Sequence, residues 1–148
     1  MHICKFELNG EPMSVFEIAG RKFPAFSGES PYTNKRAYAC VVNKGPLPAG
    51  TYYIVDRKSG GRLGWLWDAI SSHDDWFALY ADDGRIDDEL FCDGVKRGSF
   101  RLHSGRVSKG CITIPNQADF NVIRGILRGM SAYIPRTDIG CYGKVIIK

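Results

Sequence analysis

The sequence is short of the residues that build metal and nucleic-acid sites. Histidine occurs only at His2, His73 and His103, and no two of these form a His-x-x-x-His pair. The five cysteines, Cys4, Cys40, Cys92, Cys111 and Cys141, include no Cys-x-x-Cys pair. Neither zinc nor any other cofactor is therefore expected. Lys and Arg number 20 against 16 Asp and Glu, a net charge of +4. That excess suits an anionic partner, but the cations are scattered and form no run, so nucleic acid is not an expected partner. No apolar stretch is long enough to span a membrane, and Met1 to Glu7 lacks the basic and apolar regions of a cleavable signal. The expectation is a protein made in the cytoplasm that either stays there or leaves by a route needing no such signal. There is no repeat, linker or low-complexity segment. With 148 residues, 44% hydrophobic and 24% charged, one globular domain over 1–148 is expected.

What is present is mostly strand pattern. Met1 to Ala19 predicts a β-hairpin, with Ile3, Phe6 and Leu8 on one arm and Val15, Phe16 and Ile18 on the other, around Asn9-Gly10-Glu11-Pro12. Phe23 to Arg36, punctuated by Pro24, Ser27-Gly28, Ser30-Pro31 and Asn34, predicts a loop that either covers the body or forms a wall of a substrate cleft. Asn43 to Gly50 is a proline-stiffened turn into a strand over Thr51–Val55. A short helix is expected at Trp65–Ile70, a solvated His73 in the turn that follows, and a strand at Trp76–Tyr80. Ala81 to Gly98 shows turn signals at Asp82-Asp83-Gly84 and Asp93-Gly94. After Pro115, Asn116 caps a helix reaching about Met130, with Phe120, Ile123, Leu127 and Met130 as an apolar stripe. Val145 and Ile147 mark a closing strand. The sum is a mainly β, β-rich α+β fold with one main helix.

The chemistry concentrates between Arg101 and Pro115. Ser99–His103 alternates, with Phe100 and Leu102 on one face, and Cys111–Ile114 is short and β-branched. A hairpin-like return between them would bring His103 to Cys111, giving a thiol and an imidazole the proximity that a cysteine nucleophile needs. His103, with Lys109 and Arg106, would lower the thiol pKa. Gly110 permits close backbone approach, and the amides at Gly110-Cys111 suit an oxyanion hole. Arg101, Arg106 and Lys109 could receive substrate carboxylates, although a solvated basic loop explains each equally well. An odd cysteine count allows two disulfides with Cys111 left free. The bland alternative is a non-catalytic, β-rich binding module in which Cys111 is structural; the resemblance described below would make its target the cell wall. Papain-like and amidase-type enzymes place their histidine after the cysteine, an order this chain cannot supply because all three histidines precede Cys111.

Three blocks together resemble the L,D-transpeptidase effectors that bacteria inject through type VI secretion systems. They are Phe26-Ser27-Gly28, Asn43-Lys44-Gly45-Pro46-Leu47-Pro48-Ala49-Gly50-Thr51-Tyr52, and His103-Ser104-Gly105 with Ser108-Lys109-Gly110-Cys111. Lys109 stands where housekeeping L,D-transpeptidases carry a second His, and Thr113 stands where they carry Asn. The resemblance implies an L,D-transpeptidase-like β-sandwich or barrel. It implies Cys111 as nucleophile, His103 as base and Ser104 orienting His103 through its carbonyl, with Ser108 and Gly110 in the same motif. It also implies a peptidoglycan tetrapeptide stem as substrate, attacked after meso-diaminopimelate and before D-Ala. L,D-carboxypeptidase or D-amino-acid exchange activity would follow. Secretion into the periplasm of a target bacterium, delivery components and a cognate immunity protein are implied partners.

Overall fold

The computed structural model describes residues 1–57 and 76–148. The helix expected at Trp65–Ile70 and the loop histidine His73 lie outside the described residues. The main body is a closed barrel of eight strands in the order β1-β12-β4-β5-β8-β9-β3-β2. These are β1 (His2–Phe6), β2 (Ser14–Ile18), β3 (Arg21–Ser27), β4 (Gly50–Asp56), β5 (Phe77–Ala81), β8 (Arg101–Ser104), β9 (Ile112–Ile114) and β12 (Gly143–Ile147). Two small ribbons, β6 (Glu89–Cys92) with β7 (Val95–Gly98) and β10 (Ala132–Tyr133) with β11 (Gly140–Cys141), stand outside it.

Strand periodicity explains the interior. Alternate residues Cys4 and Phe6, Phe16 and Ile18, Phe23 and Ala25, Tyr52 and Ile54, and Leu102, Ile112 and Ile114 point inward into one core cluster. The helix α1 (Gln117–Arg128) joins that cluster through Phe120, Ile123 and Leu127. The Asn116 side chain caps it by accepting from the Asp119 N–H. Met130, expected in the same stripe, lies beyond the helix and is half exposed, because the turn at Gly129 ends the 3.6-residue period. A second cluster of Tyr53, Val55, Ala78, Tyr80, Ile134 and Cys141 covers the outer face of β4 and β5. The N-terminal hairpin forms as expected, with Lys5 opposite Glu17 and Phe6 opposite Phe16. So do the strands at Thr51–Val55, Trp76–Tyr80 and the C-terminus, each within a residue or two of the expected bounds.

Two expectations are corrected. Phe23 to Arg36 begins as a strand, since β3 runs to Ser27 and pairs with β2 from Arg21 to Ala25. Pro24 is tolerated because β9 pairs with β3 only at Phe26 and Ser27, which leaves that edge of β3 unpaired at the proline. The second correction concerns β8 and β9. They are parallel, not a hairpin, with Leu102 beside Ile112, His103 beside Thr113 and Ser104 beside Ile114. The loop between them must therefore double back across the outside of the barrel. Gly105 and Gly110, at φ 141° and 118°, supply the bends.

Candidate active site

The parallel register decides which side chains meet. Inward positions on β8 and β9 are taken by Leu102, Ile112 and Ile114, so His103, Arg101, Thr113 and Cys111 share the outer face. One cross-strand row is Phe26–Thr113–His103. Continuing the β5–β8 and β4–β5 registers by one residue extends this row to Trp76 and Arg57. Ring contacts agree with that placement. Trp76 stacks on His103 at 4.2 Å between centroids, 22° from parallel, and the Arg57 guanidinium lies 5.0 Å over Trp76. The neighbouring row, again continued by one residue, is Gly28–Cys111–Arg101. Cys111 and His103 are thus diagonal neighbours on one face, not directly opposite partners.

His103 is buried and held in one orientation. Its Nδ1 lies 2.9 Å from the Ser104 carbonyl, which can only accept, so Nδ1 carries a proton there. In the neutral ring Nε2 is then the basic nitrogen, and it faces the Thr113 hydroxyl at 3.5 Å. Ser104 is itself tied down, its hydroxyl donating to Gln117 Oε1 at 2.6 Å on the first turn of α1.

Cys111 is half-buried, with its S–H directed at the Ser99 carbonyl at 4.0 Å. Burial pushes its thiol above the ordinary range; the Arg101 backbone N–H, the Arg101 charge and the Arg97 charge pull the other way, and Asp88 adds to the rise. The lowered pKa expected from the sequence is therefore not what the resting site shows. The cations acting on the sulfur are Arg101 and Arg97, rather than Arg106 and Lys109, because parallel pairing brings Arg101 level with Cys111. The Arg101 guanidinium is held by both oxygens of Asp88 at 2.8 Å each, so its charge is already partnered. Arg106 and Lys109 are exposed and line a cavity on the other side of the loop.

That loop is set by contacts with the other two motif blocks. The Ser108 hydroxyl donates to the Cys111 carbonyl at 2.7 Å and accepts from the Gly28 N–H at 2.9 Å. The Ser27 hydroxyl donates to the Gly110 carbonyl at 3.3 Å and accepts from the Leu47 N–H at 3.0 Å. Gly28 is packed so closely on Pro46 that a Cβ there would sit 2.7 Å from the proline nitrogen. A Cβ on Gly110 would collide with Arg97 Nη2. The three blocks, separated by up to 83 residues in sequence, thus meet around the backbone of Cys111.

Sequence reasoning missed Arg97. It lies on β7, 4% exposed, and its guanidinium donates to the carbonyls of Ala39 at 2.6 Å, Pro46 at 2.9 Å, and Gly45 and Lys109 at 3.3 Å. It also rests 5.1 Å over Phe100. Burial lowers its pKa, against which the nearby Tyr52 and Cys111 act to raise it. A lone Arg in the polar run Val95-Lys96-Arg97 carries no signal that could single it out. Trp76 and Asp88 were missed for the same reason: their places come from long-range contacts, with His103 and with Arg101. The same region carries a disulfide, Cys40–Cys92, which ties the Ala39–Pro46 loop to the β6–β7 ribbon. Of the two disulfides that the cysteine count allows, one is present among the described residues, with Cys4 and Cys141 buried as free thiols in the core and outer clusters.

In the comparisons, residues 21–133 match the family model of the Tlde1 domain. No curated protein and no solved structure matches the chain.

Proposed function

The chain belongs to the Tlde1 domain family, the L,D-transpeptidase effectors of type VI secretion, and on that premise we propose that it attacks peptidoglycan stem peptides through a Cys111 acyl-enzyme. At the coarse level family membership implies a peptidoglycan-acting enzyme. The finer reading is supported above all by His103, whose Nδ1 is held on the Ser104 carbonyl so that Nε2 is the basic nitrogen, on the face that carries Cys111.

The resting thiol is protonated, because burial outweighs the opposing charges. The nucleophile is therefore made when substrate arrives, not stored as an ion pair. His103 Nε2 accepts the S–H proton as sulfur attacks the carbonyl of meso-diaminopimelate, and the carbonyl π electrons move to oxygen. The Arg101 N–H and the Arg97 charge favour the sulfur as it becomes anionic. The amides of the Gly110-Cys111 turn receive the oxyanion. When the intermediate collapses, the C–N bond to D-Ala breaks and His103 returns its proton to the leaving amine. The thioester then goes to water, giving a tripeptide, or to the amine of a D-amino acid, giving exchange. His103 removes the proton of the incoming nucleophile and returns it to sulfur. Neither outcome requires a cofactor.

Made in the cytoplasm and delivered by the secretion apparatus, the protein acts in the periplasm of the recipient, and the producer is protected by a cognate immunity protein. The decisive experiment is mass spectrometry of tetrapeptide muropeptides incubated with wild type and Cys111→Ala, with and without D-Met. Loss of D-Ala, or its replacement by D-Met, with wild type alone is expected. Unchanged muropeptides with folded wild type would return Cys111 to a structural role in a wall-binding module.

A further inference from the structure

His103 lies on the outer face of the barrel and is nevertheless only 6% exposed. One of the groups that cover it is Trp76, whose indole stacks on the imidazole at 4.2 Å between centroids and 22° from parallel. The cross-strand row through His103 runs Arg57–Trp76–His103–Thr113–Phe26, so the stack is built into the strand register. Packing alone does not account for the indole. Among the described residues Trp76 belongs to neither apolar cluster, although Phe77 and Ala78, which follow it, each join one. It meets instead the His103 imidazole and, 5.0 Å from its ring centre, the Arg57 guanidinium.

The reaction makes two demands on His103 that its hydrogen bond to Ser104 meets only in part. The first is orientation. Histidine χ2 is an sp³–sp² torsion, broad and roughly two-fold, so no narrow staggered well holds the ring plane. The Ser104 carbonyl, 2.9 Å from Nδ1, decides which way round the ring sits, because a half-turn would set a C–H against the carbonyl. It leaves the tilt open, since a carbonyl oxygen accepts over a broad range of directions. A flat surface against the ring face removes that freedom, and the indole is such a surface. The second demand is charge. During turnover Nε2 takes the thiol proton and the ring becomes an imidazolium with little access to water. Arg57 at the indole and Arg101 on the same face of β8 oppose that charge, and the Cys111 sulfur becomes its counter-ion. The indole favours it, because a desolvated cation is drawn to an aromatic face and most strongly to that of Trp.

We propose that Trp76 is a positioning residue for His103. It sets the plane of the imidazole that the Ser104 carbonyl orients, and it supports the imidazolium during turnover. Arg57, lying over the indole, holds Trp76 in turn. The proposal rests on His103 being the base of the reaction.

The test compares the full chain with Trp76→Phe, which keeps a ring, and Trp76→Leu, which keeps apolar bulk without one. Cleavage of tetrapeptide muropeptides is resolved into kcat and KM. Nitrogen and proton NMR of the imidazoles is recorded without substrate, the His103 signals being those missing from His103→Gln. In the parent the His103 ring protons should be shifted upfield by the indole, with Nδ1 protonated and Nε2 bare. Trp76→Leu should lose the upfield shift and move both nitrogens towards the averaged values of mixed tautomers. Its kcat should fall about tenfold at constant KM, the rate equivalent of about 1.4 kcal/mol and of one cation–aromatic contact. Trp76→Phe should keep the protonation pattern and a kcat within about threefold of the parent. Unchanged nitrogen shifts in Trp76→Leu would overturn the proposal, as would a raised KM with kcat intact, which makes Trp76 a wall of the substrate site. Parent ring protons without the upfield shift would overturn it too, even if Trp76→Leu fails to fold. The two readings fail separately. A folded parent that leaves muropeptides uncut removes the proposed reaction and the turnover role of Trp76 with it, whereas cleavage with equal kcat in parent and Trp76→Leu removes Trp76 alone.

Discussion

Replacing Arg97 by Met tests whether a buried cation organises the nucleophile loop. Methionine keeps an unbranched stem but removes every donor. The carbonyls of Ala39, Gly45, Pro46 and Lys109 would each lose the guanidinium. An acceptor stranded in the interior costs about 1–3 kcal/mol, which argues for a large loss. Against that, the variant no longer has to desolvate a guanidinium, a cost visible in the lowered pKa of Arg97. The four carbonyls stay where they are whichever residue stands at 97, so the loss should dominate. Breaking comparable buried charged networks costs about 3–5 kcal/mol. With a urea dependence of about 2 kcal/mol per molar, the unfolding midpoint should fall by about 1.5–2.5 M. Muropeptide turnover measured well below the new midpoint should fall as well, because Lys109 directly precedes the Gly110-Cys111 turn. A second variant, Arg97→Lys, retains the charge but not the planar fork, and should recover part of the stability with little of the turnover. A midpoint shift under about 0.5 M in Arg97→Met, with turnover intact, would refute the reasoning.

The remaining predictions concern cysteine and glycine positions. Removing the Cys40–Cys92 disulfide by a double Ala substitution should cost about 4 kcal/mol, the chain-entropy value for a closed loop of this length, measured by urea unfolding; the two cysteines are 52 residues apart. Burial raises the Cys4 thiol to about 12. An unfolded thiol loses its proton near pH 8.5. Between those values the folded state holds the extra proton, so stability is full below the unfolded pKa and falls as pH rises, by about 1.4 kcal/mol per unit. Cys4→Ala should remove that part of the alkaline decline, and an unchanged slope of thermal midpoint against pH would contradict the assignment. Gly110→Ala combines a residue at φ 118° with a Cβ collision against Arg97. It should lower stability by about 2–4 kcal/mol and abolish turnover, read by calorimetry and muropeptide mass spectrometry.

The sequence by itself determined the elements whose cause is local. Alternation of apolar residues specified the N-terminal hairpin, the strand into Val55 and the closing strand, because strand period and burial are written residue by residue. Asn116 followed by Phe120, Ile123 and Leu127 specified the capped helix in the same way. The candidate nucleophile and base, Cys111 and His103, were legible as residue types crowded into one short stretch, whereas the orienting role of Ser104 came only from the family resemblance. Tertiary structure decided everything that depends on which strand lies beside which. Parallel pairing of β8 with β9 cannot be read from a short glycine-rich loop that reads equally well as a hairpin. It is this pairing that sets His103 beside Thr113, brings Arg101 level with Cys111 and sends Arg106 and Lys109 to the far side of the loop. Pro24 reads locally as a loop residue and becomes a strand residue only because one edge of β3 is unpaired there. Arg97 gains its place from carbonyls 12 to 58 residues away. Such long-range hydrogen bonds leave no periodic trace, since the donor can be any basic residue that the fold happens to bury. The residue types of the candidate site were therefore visible in the sequence, while their electrostatics arose only when the barrel closed.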